Sequence, residues 1–262
     1  MPKLLDITKF CENLQEITSS KIIDKRKFHS AGLFSEQIFG PVKNYTCQCG
    51  TYHGISHSGG TCKDCGIDIV NSDVRRKRFA KIVLPIPIVN PIMFDLIIDI
   101  GGNLVKNYLI KLMKNDKSVL FVKDDIYYVT DDIKVPEGVQ KWEKLEAISE
   151  LISNIAITSV QDDPNSKWKI VRDNIDKLFI QEILVLPPDL RPASKSIEKN
   201  SQVVDEINRN YNSILTKKES MKDTIIDITK DKTLFYSYYK QIQKDVMELY
   251  DHIIENYLKK KD

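Results

Sequence analysis

Apolar positions along this chain change their period several times, and each change predicts a different kind of element. Residues 1–30 begin polar and end in the charged stretch Lys21–Phe28, with too little periodic apolar surface to build a core alone. Residues 31–70 are rich in Gly, Cys and His and poor in aliphatic periodicity, which predicts a small module held by something other than a hydrophobic core. Apolar residues then dominate from Ile82 to Met113. Ile92, Leu96 and Ile100, followed by Leu104, Tyr108 and Leu112, recur at helical spacing, and Gly101-Gly102 divides the run into two helices. Ser118–Val122 and Ile126–Thr130 are β-rich runs around Lys123-Asp124-Asp125, a hairpin signal without the usual glycine. Helical spacing returns at Trp142, Leu145, Ile148, Ile152 and Ile155. A turn-rich loop at Asp162–Ser166 precedes a helix near Trp168–Leu178 and an apolar strand Ile180–Leu186, which Pro187-Pro188 terminates.

The last stretch carries the longest regular pattern. Val204, Ile207, Tyr211 and Ile214, and then Phe235, Tyr239, Ile242, Val246, Leu249 and Ile253, follow three-four spacing, predicting two long helices that pack as an antiparallel coiled-coil hairpin. The polar segment Thr216–Thr233 would form its tip. An ordinary bundle edge fits the same pattern.

The 262 residues suffice for one large domain or two ordinary ones, and 42% hydrophobic with 29% charged residues describes a folded chain. With 39 Lys+Arg against 37 Asp+Glu the net charge is +2, so any contact with nucleic acid must come from local patches. The most apolar stretch, Ile82–Ile100, is broken by prolines and aspartates, and MPKLLDITKF lacks a signal peptide's apolar run. No membrane contact and a cytoplasmic setting are the expectations.

Four of the five cysteines lie within nineteen residues, while Cys11 stands alone with no role assigned. Cys47-Gln48-Cys49, twelve residues, then Cys62-Lys63-Asp64-Cys65 makes two close thiolate pairs, the spacing of a closed tetrahedral Zn²⁺ site. Gly50 and Gly66 follow the second cysteine of each pair and permit turns whose N–H groups point at sulfur. Free thiols, a disulfide, or a redox role for Cys62-Lys63-Asp64-Cys65 are the competing readings; the redox motif wants a strand-to-helix setting that is missing here. His53 and His57 fall inside the loop, but four cysteines already saturate the metal. Just beyond, five of the seven residues from Arg75 to Lys81 are basic (Arg75, Arg76, Lys77, Arg78, Lys81), either phosphate contacts or a solvated face paired with acids.

These residues resemble a known family. Gly32-Leu33-Phe34, Ile38-Phe39-Gly40-Pro41, the spaced cysteines with Gly50 and Tyr52, Cys62 to Gly66, Val74-Arg75-Arg76 and Arg78 look like the amino-terminal region of the beta-prime subunit of bacterial-type multisubunit DNA-directed RNA polymerase. Val185–Pro192 and Ile207-Asn208-Arg209-Asn210 are similar to later stretches of that subunit. The resemblance implies an α+β, predominantly helical fold. Its parts would be an N-terminal segment and zipper over 1–44, a zinc-binding domain over 45–80 and a clamp core over 81–192 with a short β hairpin. A lid-like loop over 193–200 and clamp helices over 201–262 would follow.

The same resemblance implies a role in transcription: a structural Zn²⁺ on Cys47, Cys49, Cys62 and Cys65, and nucleic-acid contacts through Arg75, Arg76, Lys77, Arg78, Lys81 and Arg191. A sigma-like specificity factor would dock near Asn208, Arg209 and Asn210. DNA, nascent RNA, the beta subunit and the remainder of beta-prime would be partners. Arg191 fits a loop-bracing role equally well.

The family's catalytic Mg²⁺ is held by an Asp-x-Asp-x-Asp run, and none occurs in this sequence. This chain alone is therefore expected to be inactive in nucleotidyl transfer, as one piece of a split subunit or an excised fragment. Large bacterial viruses are a candidate source, alongside plastid-type and bacterial enzymes. The rival readings are a free-standing zinc-binding transcription regulator and a thiol oxidoreductase.

Overall fold

The computed structural model describes residues 6–115, 117–131, 134–192, 206–222 and 232–257. The lid-like loop expected over 193–200 lies outside the described residues, as do residues 223–231 of the predicted hairpin tip. In chain order the elements are α1 (Ile7–Cys11), β1 (Ile23–Asp24), β2 (Lys27–Phe28), α2 (Glu36–Phe39), β3 (Ala80–Val89) and α3 (Pro91–Lys114). Then come β4 (Ser118–Lys123), β5 (Ile126–Asp131), β6 (Lys141–Glu143), α4 (Lys144–Asp162), α5 (Trp168–Arg172), β7 (Phe179–Val185), α6 (Glu206–Lys222) and α7 (Lys232–Tyr257). Helices outweigh short strands, so the chain is a mixed α+β protein as expected.

The described residues divide into two compact units. One takes in the described residues of 87–180 together with 232–243. Asn90 opens its first helix: the side-chain Oδ1 accepts from Ile92 N–H at 3.0 Å, and Pro91 occupies the first turn, where a missing N–H costs nothing. Gly102, at φ 66 and ψ −162, breaks α3 where the paired glycines predicted a division. The buried stripe differs from the expected one. Met93 and Ile97, then Val105, Leu109 and Leu112, face inward, while Leu104 is 64% exposed. The run is apolar on several sides, so periodicity alone left its phase undetermined.

The hairpin forms as read: β4 and β5 pair antiparallel from Ser118↔Asp131 to Lys123↔Ile126. Asp124 and Asp125 have φ 52 and 62, so this two-residue turn has positive φ at both central positions, and the short polar side chains tolerate it in place of glycine. A third strand was not expected. Trp142, read as the start of a helix, lies in β6 opposite Leu120 and stacks on Tyr127, with centroids 6.0 Å apart. α4 begins after it and buries Ala147, Ile148, Leu151, Ile152 and Ala156. From α7, the Gln243 amide accepts from Val89 N–H (2.7 Å) and donates to Val89 C=O (3.0 Å), completing backbone bonding where a strand ends.

The other unit takes in residues 6–86, 181–192, 206–222 and 244–257. β3, paired with β7, went unread in the sequence because Pro85 and Pro87 look like strand breakers. Its buried positions nevertheless alternate through Ala80, Ile82, Leu84, Ile86 and Ile88. The second edge of β3 is bonded only locally, at Lys81, which donates to Gln15 C=O and accepts from Ile17 N–H, so beyond that point proline is tolerated where the absent N–H would face outward. Ile207, Tyr211 and Ile214 of α6 are buried, as are Val246 and Leu249 of α7. Asp245 ties the two helices together, accepting from Ser213 Oγ at 2.8 Å and from Lys217 Nζ. Asn210 Nδ2 donates to the Asp245 carbonyl at 3.3 Å. Val204 and Phe235, also in the expected stripe, lie outside the described side chains.

Candidate metal centre and basic surface

Two short turns present the four expected thiols. In the first, Gly50 N–H donates to Cys47 C=O (3.1 Å) and Cys47 N–H to Tyr52 C=O (3.2 Å). In the second, Gly66 N–H donates to Cys62 C=O and Cys62 N–H to Ile67 C=O, both at 2.8 Å. Gly50 and Gly66 have φ 87 and 66, the left-handed conformation that reverses the chain beside each thiol pair. The glycine N–H groups close the turns on carbonyls, while other N–H groups point at sulfur: Tyr52 N–H reaches Cys47 Sγ at 3.2 Å, Thr51 N–H faces Cys49 and Ile67 N–H faces Cys65.

The turns bring Cys47 and Cys49 Sγ to 3.3 Å and Cys49 and Cys62 Sγ to 3.5 Å, with all four sulfurs within 4.8 Å of one another. A tetrahedron with Zn–S arms of about 2.3 Å has edges of about 3.8 Å, so the four thiols fit a zinc ion. Cys47 and Cys62 are buried over Ile67 and Ile69, with Tyr45 and Tyr52 packed alongside, so a small apolar cluster does back the thiols. Hydrogen bonding to Thr51 pulls the Cys49 thiol down to about 6, while burial pushes Cys65 up to about 12. Sulfurs this close cannot all ionise without a cation, and a dication removes that conflict.

His53 and His57 are exposed and stand outside the cluster; His57 packs edge-on against Tyr52, centroids 5.0 Å apart. The module is tied to its own unit by Gln37 Nε2 donating to Cys65 C=O (2.7 Å), Arg78 pairing with Asp68 (2.8 Å) and Asn44 Oδ1 accepting from Ser72 N–H (3.0 Å).

The expected basic residues separate into two groups. Arg75 is buried, with Nη1 donating to Gly40 C=O (2.7 Å), Nη2 to Phe34 C=O (3.3 Å), and Asp189 3.9 Å from Nε. Arg191 is fully buried, donating to Leu186 C=O (2.8 Å), Asn208 Oδ1 (2.8 Å) and Leu33 C=O (2.7 Å). Its guanidinium sits 5.1 to 5.5 Å from the ring centres of Phe34, Phe39 and Tyr211. Both guanidiniums are turned inward, each hydrogen-bonded to backbone carbonyls of this chain. Lys81 is paired with Glu182 at 2.9 Å and Arg78 with Asp68. Arg76 and Lys77 are exposed.

Of the expected docking residues, Asn208 and Asn210 face inward, onto Arg191 and the Asp245 carbonyl, and Arg209 is exposed. The inward asparagines share the buried face of α6 with Ile207, Tyr211 and Ile214. Polar letters concealed that role, because a buried amide with matched partners costs little.

Four thiols presented by two paired turns and converging within 4.8 Å make a candidate site for a thiolate-bound metal. Comparison with known proteins narrows this. The chain is 26% identical over 283 residues to the DNA-directed RNA polymerase subunit beta' of Rhodopirellula baltica, covering 90% of this chain and 19% of that protein. It is 26% identical over 276 residues to the same subunit of Chlamydia felis and of Chlamydia pneumoniae, covering 90% of this chain and 20% of each relative. The chain is thus homologous to bacterial RNA polymerase subunit beta' over nine-tenths of its length, and it spans about a fifth of the length of these relatives. A scan of protein-family models gives no match. No helix among the described residues is long and apolar enough to cross a membrane.

Proposed function

We propose that this chain is the amino-terminal, clamp-forming part of an RNA polymerase beta-prime subunit, acting in DNA-templated transcription within an assembly whose other polypeptides supply the catalytic carboxylates. The observation that carries this reading is similarity to beta' running through 90% of the chain, with four sulfurs converging inside it. Cys47, Cys49, Cys62 and Cys65 would hold a structural Zn²⁺, which neutralises their mutual repulsion and staples a module whose apolar cluster is small.

Arg76 and Lys77 are the exposed cations of the basic run and the proposed phosphate contacts near DNA or transcript; Arg75 and Arg191 brace the fold behind them. α6 and α7 present Arg209 and their outer faces to a sigma-like specificity factor, and the beta subunit and the rest of beta-prime complete the assembly in the cytoplasm.

Isolation of the native complex, with mass spectrometry of its subunits and metal analysis, tests the proposal. Beta-like and further beta-prime-like polypeptides with one zinc per chain are expected. A lone metal-free chain with no polymerase components would overturn it.

A further inference from the structure

The four cysteines are unequal in their surroundings. Cys47 and Cys62 are buried and Cys65 is half-buried, while Cys49 is exposed. A ligand-exchange reagent can therefore reach the cluster from one side, at Cys49. That side carries a contact which neither cysteine turn needs for its own closure: Thr51 Oγ1 donates to Asp64 Oδ2 at 2.7 Å and lies 3.2 Å from Cys49 Sγ. Thr51 follows the first cysteine pair and Asp64 lies between Cys62 and Cys65, so this bond, made by neither pair of sulfurs, joins the two turns across the open edge. A carboxylate there also repels an incoming anionic chelator from sulfurs that are themselves negative when ionised.

We propose that the metal centre exchanges its ion through the Cys49 edge, and that Thr51 and Asp64 form the latch closing that edge. Thr51 is a positioning residue, since it acts by holding the turns together and is not itself a ligand. When Cys49 is metal-bound it has no proton to give, and the Thr51 hydroxyl proton stays committed to Asp64, so the latch does not depend on the protonation of the sulfur. Opening requires the two turns to part while Cys47 and Cys62 stay anchored on Ile67 and Ile69. The loaded site would thus resist release from its buried side and give way at its outer one. This inference rests on the zinc-site reading above.

The test uses the full zinc-loaded chain and the chromogenic chelator 4-(2-pyridylazo)resorcinol. Thr51→Val removes the hydroxyl at nearly constant volume, and losing one net hydrogen bond is expected to raise the zinc release rate about fivefold to tenfold. Asp64→Asn should move it the same way, and Thr51→Ser should restore the slow rate. Thr61→Val deletes the 3.0 Å bond from Thr61 Oγ1 to Asp68 Oδ1 in the same module and should leave the rate unchanged. During release, N-ethylmaleimide should label Cys49 first.

Zinc-loaded Thr51→Val and Asp64→Asn chains that release metal at the parental rate would overturn the latch. So would acceleration by Thr61→Val equal to that of Thr51→Val, or labelling that starts at another cysteine. A parental chain that binds no zinc would instead overturn the metal-site reading, an outcome separate from these.

Discussion

Arg191 shows how far a residue's role can depart from its letter. In sequence it is one more cation beside a proline-rich turn; in the fold it ties that turn, through Leu186, to Asn208 on α6 and to the distant Leu33. Arg191→Met keeps much of the volume but strands two carbonyls and an amide oxygen, so urea unfolding should show a loss of about 3–5 kcal/mol. Arg76→Ala, at an exposed cation, should stay within about 0.5 kcal/mol in the same assay. Cys11 makes a second case. Burial, with the Glu182 charge adding and Lys81 opposing, pushes its thiol from 9.0 up to about 11. A raised value means the native chain holds this proton more tightly than the unfolded one. The resulting stabilisation is intact below pH 9 and disappears as pH climbs through 11, a loss of about 3 kcal/mol. Unfolding free energies at pH 8 and pH 11 should therefore differ more for the parental chain than for Cys11→Ala; an equal drop in both would assign the alkaline loss to other groups.

At the scale of elements, local chemistry was readable wherever one signal dominated. The β4–β5 hairpin follows from two β-rich runs and a short polar link, and its cost is visible at Asp124 and Asp125, both at positive φ. Replacing them by Asn-Gly (Asp124→Asn with Asp125→Gly) should stabilise the hairpin by about 1 kcal/mol and slow amide exchange across Ser118–Asp131. Where two signals competed, the sequence misled. Pro85 and Pro87 concealed β3, since a letter does not say which edge of a strand will be left unpaired. Trp142 matched a helical period and joined a sheet because Leu120 offered a partner backbone. The inner face of α3 was misphased because its apolar residues exceed what one stripe requires.

For the whole molecule, the proposed metal and the proposed nucleic-acid surface lead to separable outcomes. Removing zinc by chelation should abolish amide protection over Tyr45–Val70 while α6 and α7, held together at Asp245, keep theirs; uniform loss in both would contradict a locally acting staple. Reversing Arg76 and Lys77 to glutamate should weaken DNA binding by the assembled complex and lower the slope of log K against log salt by about 2, with the fold intact. An unchanged slope would leave those two cations merely solvated.

The sequence by itself determined the four thiols and their pairing, the polar hairpin turn, the break at Gly101-Gly102 and the stripe on the terminal helices, because each is local chemistry at fixed spacing. It also carried the likeness to beta'. Only the tertiary structure decided which cations face water and which are buried, which cysteine is exposed, and where β3 and β6 find partners. Those properties belong to pairs of segments far apart in the chain, and burial and hydrogen bonding exist only once the segments have met.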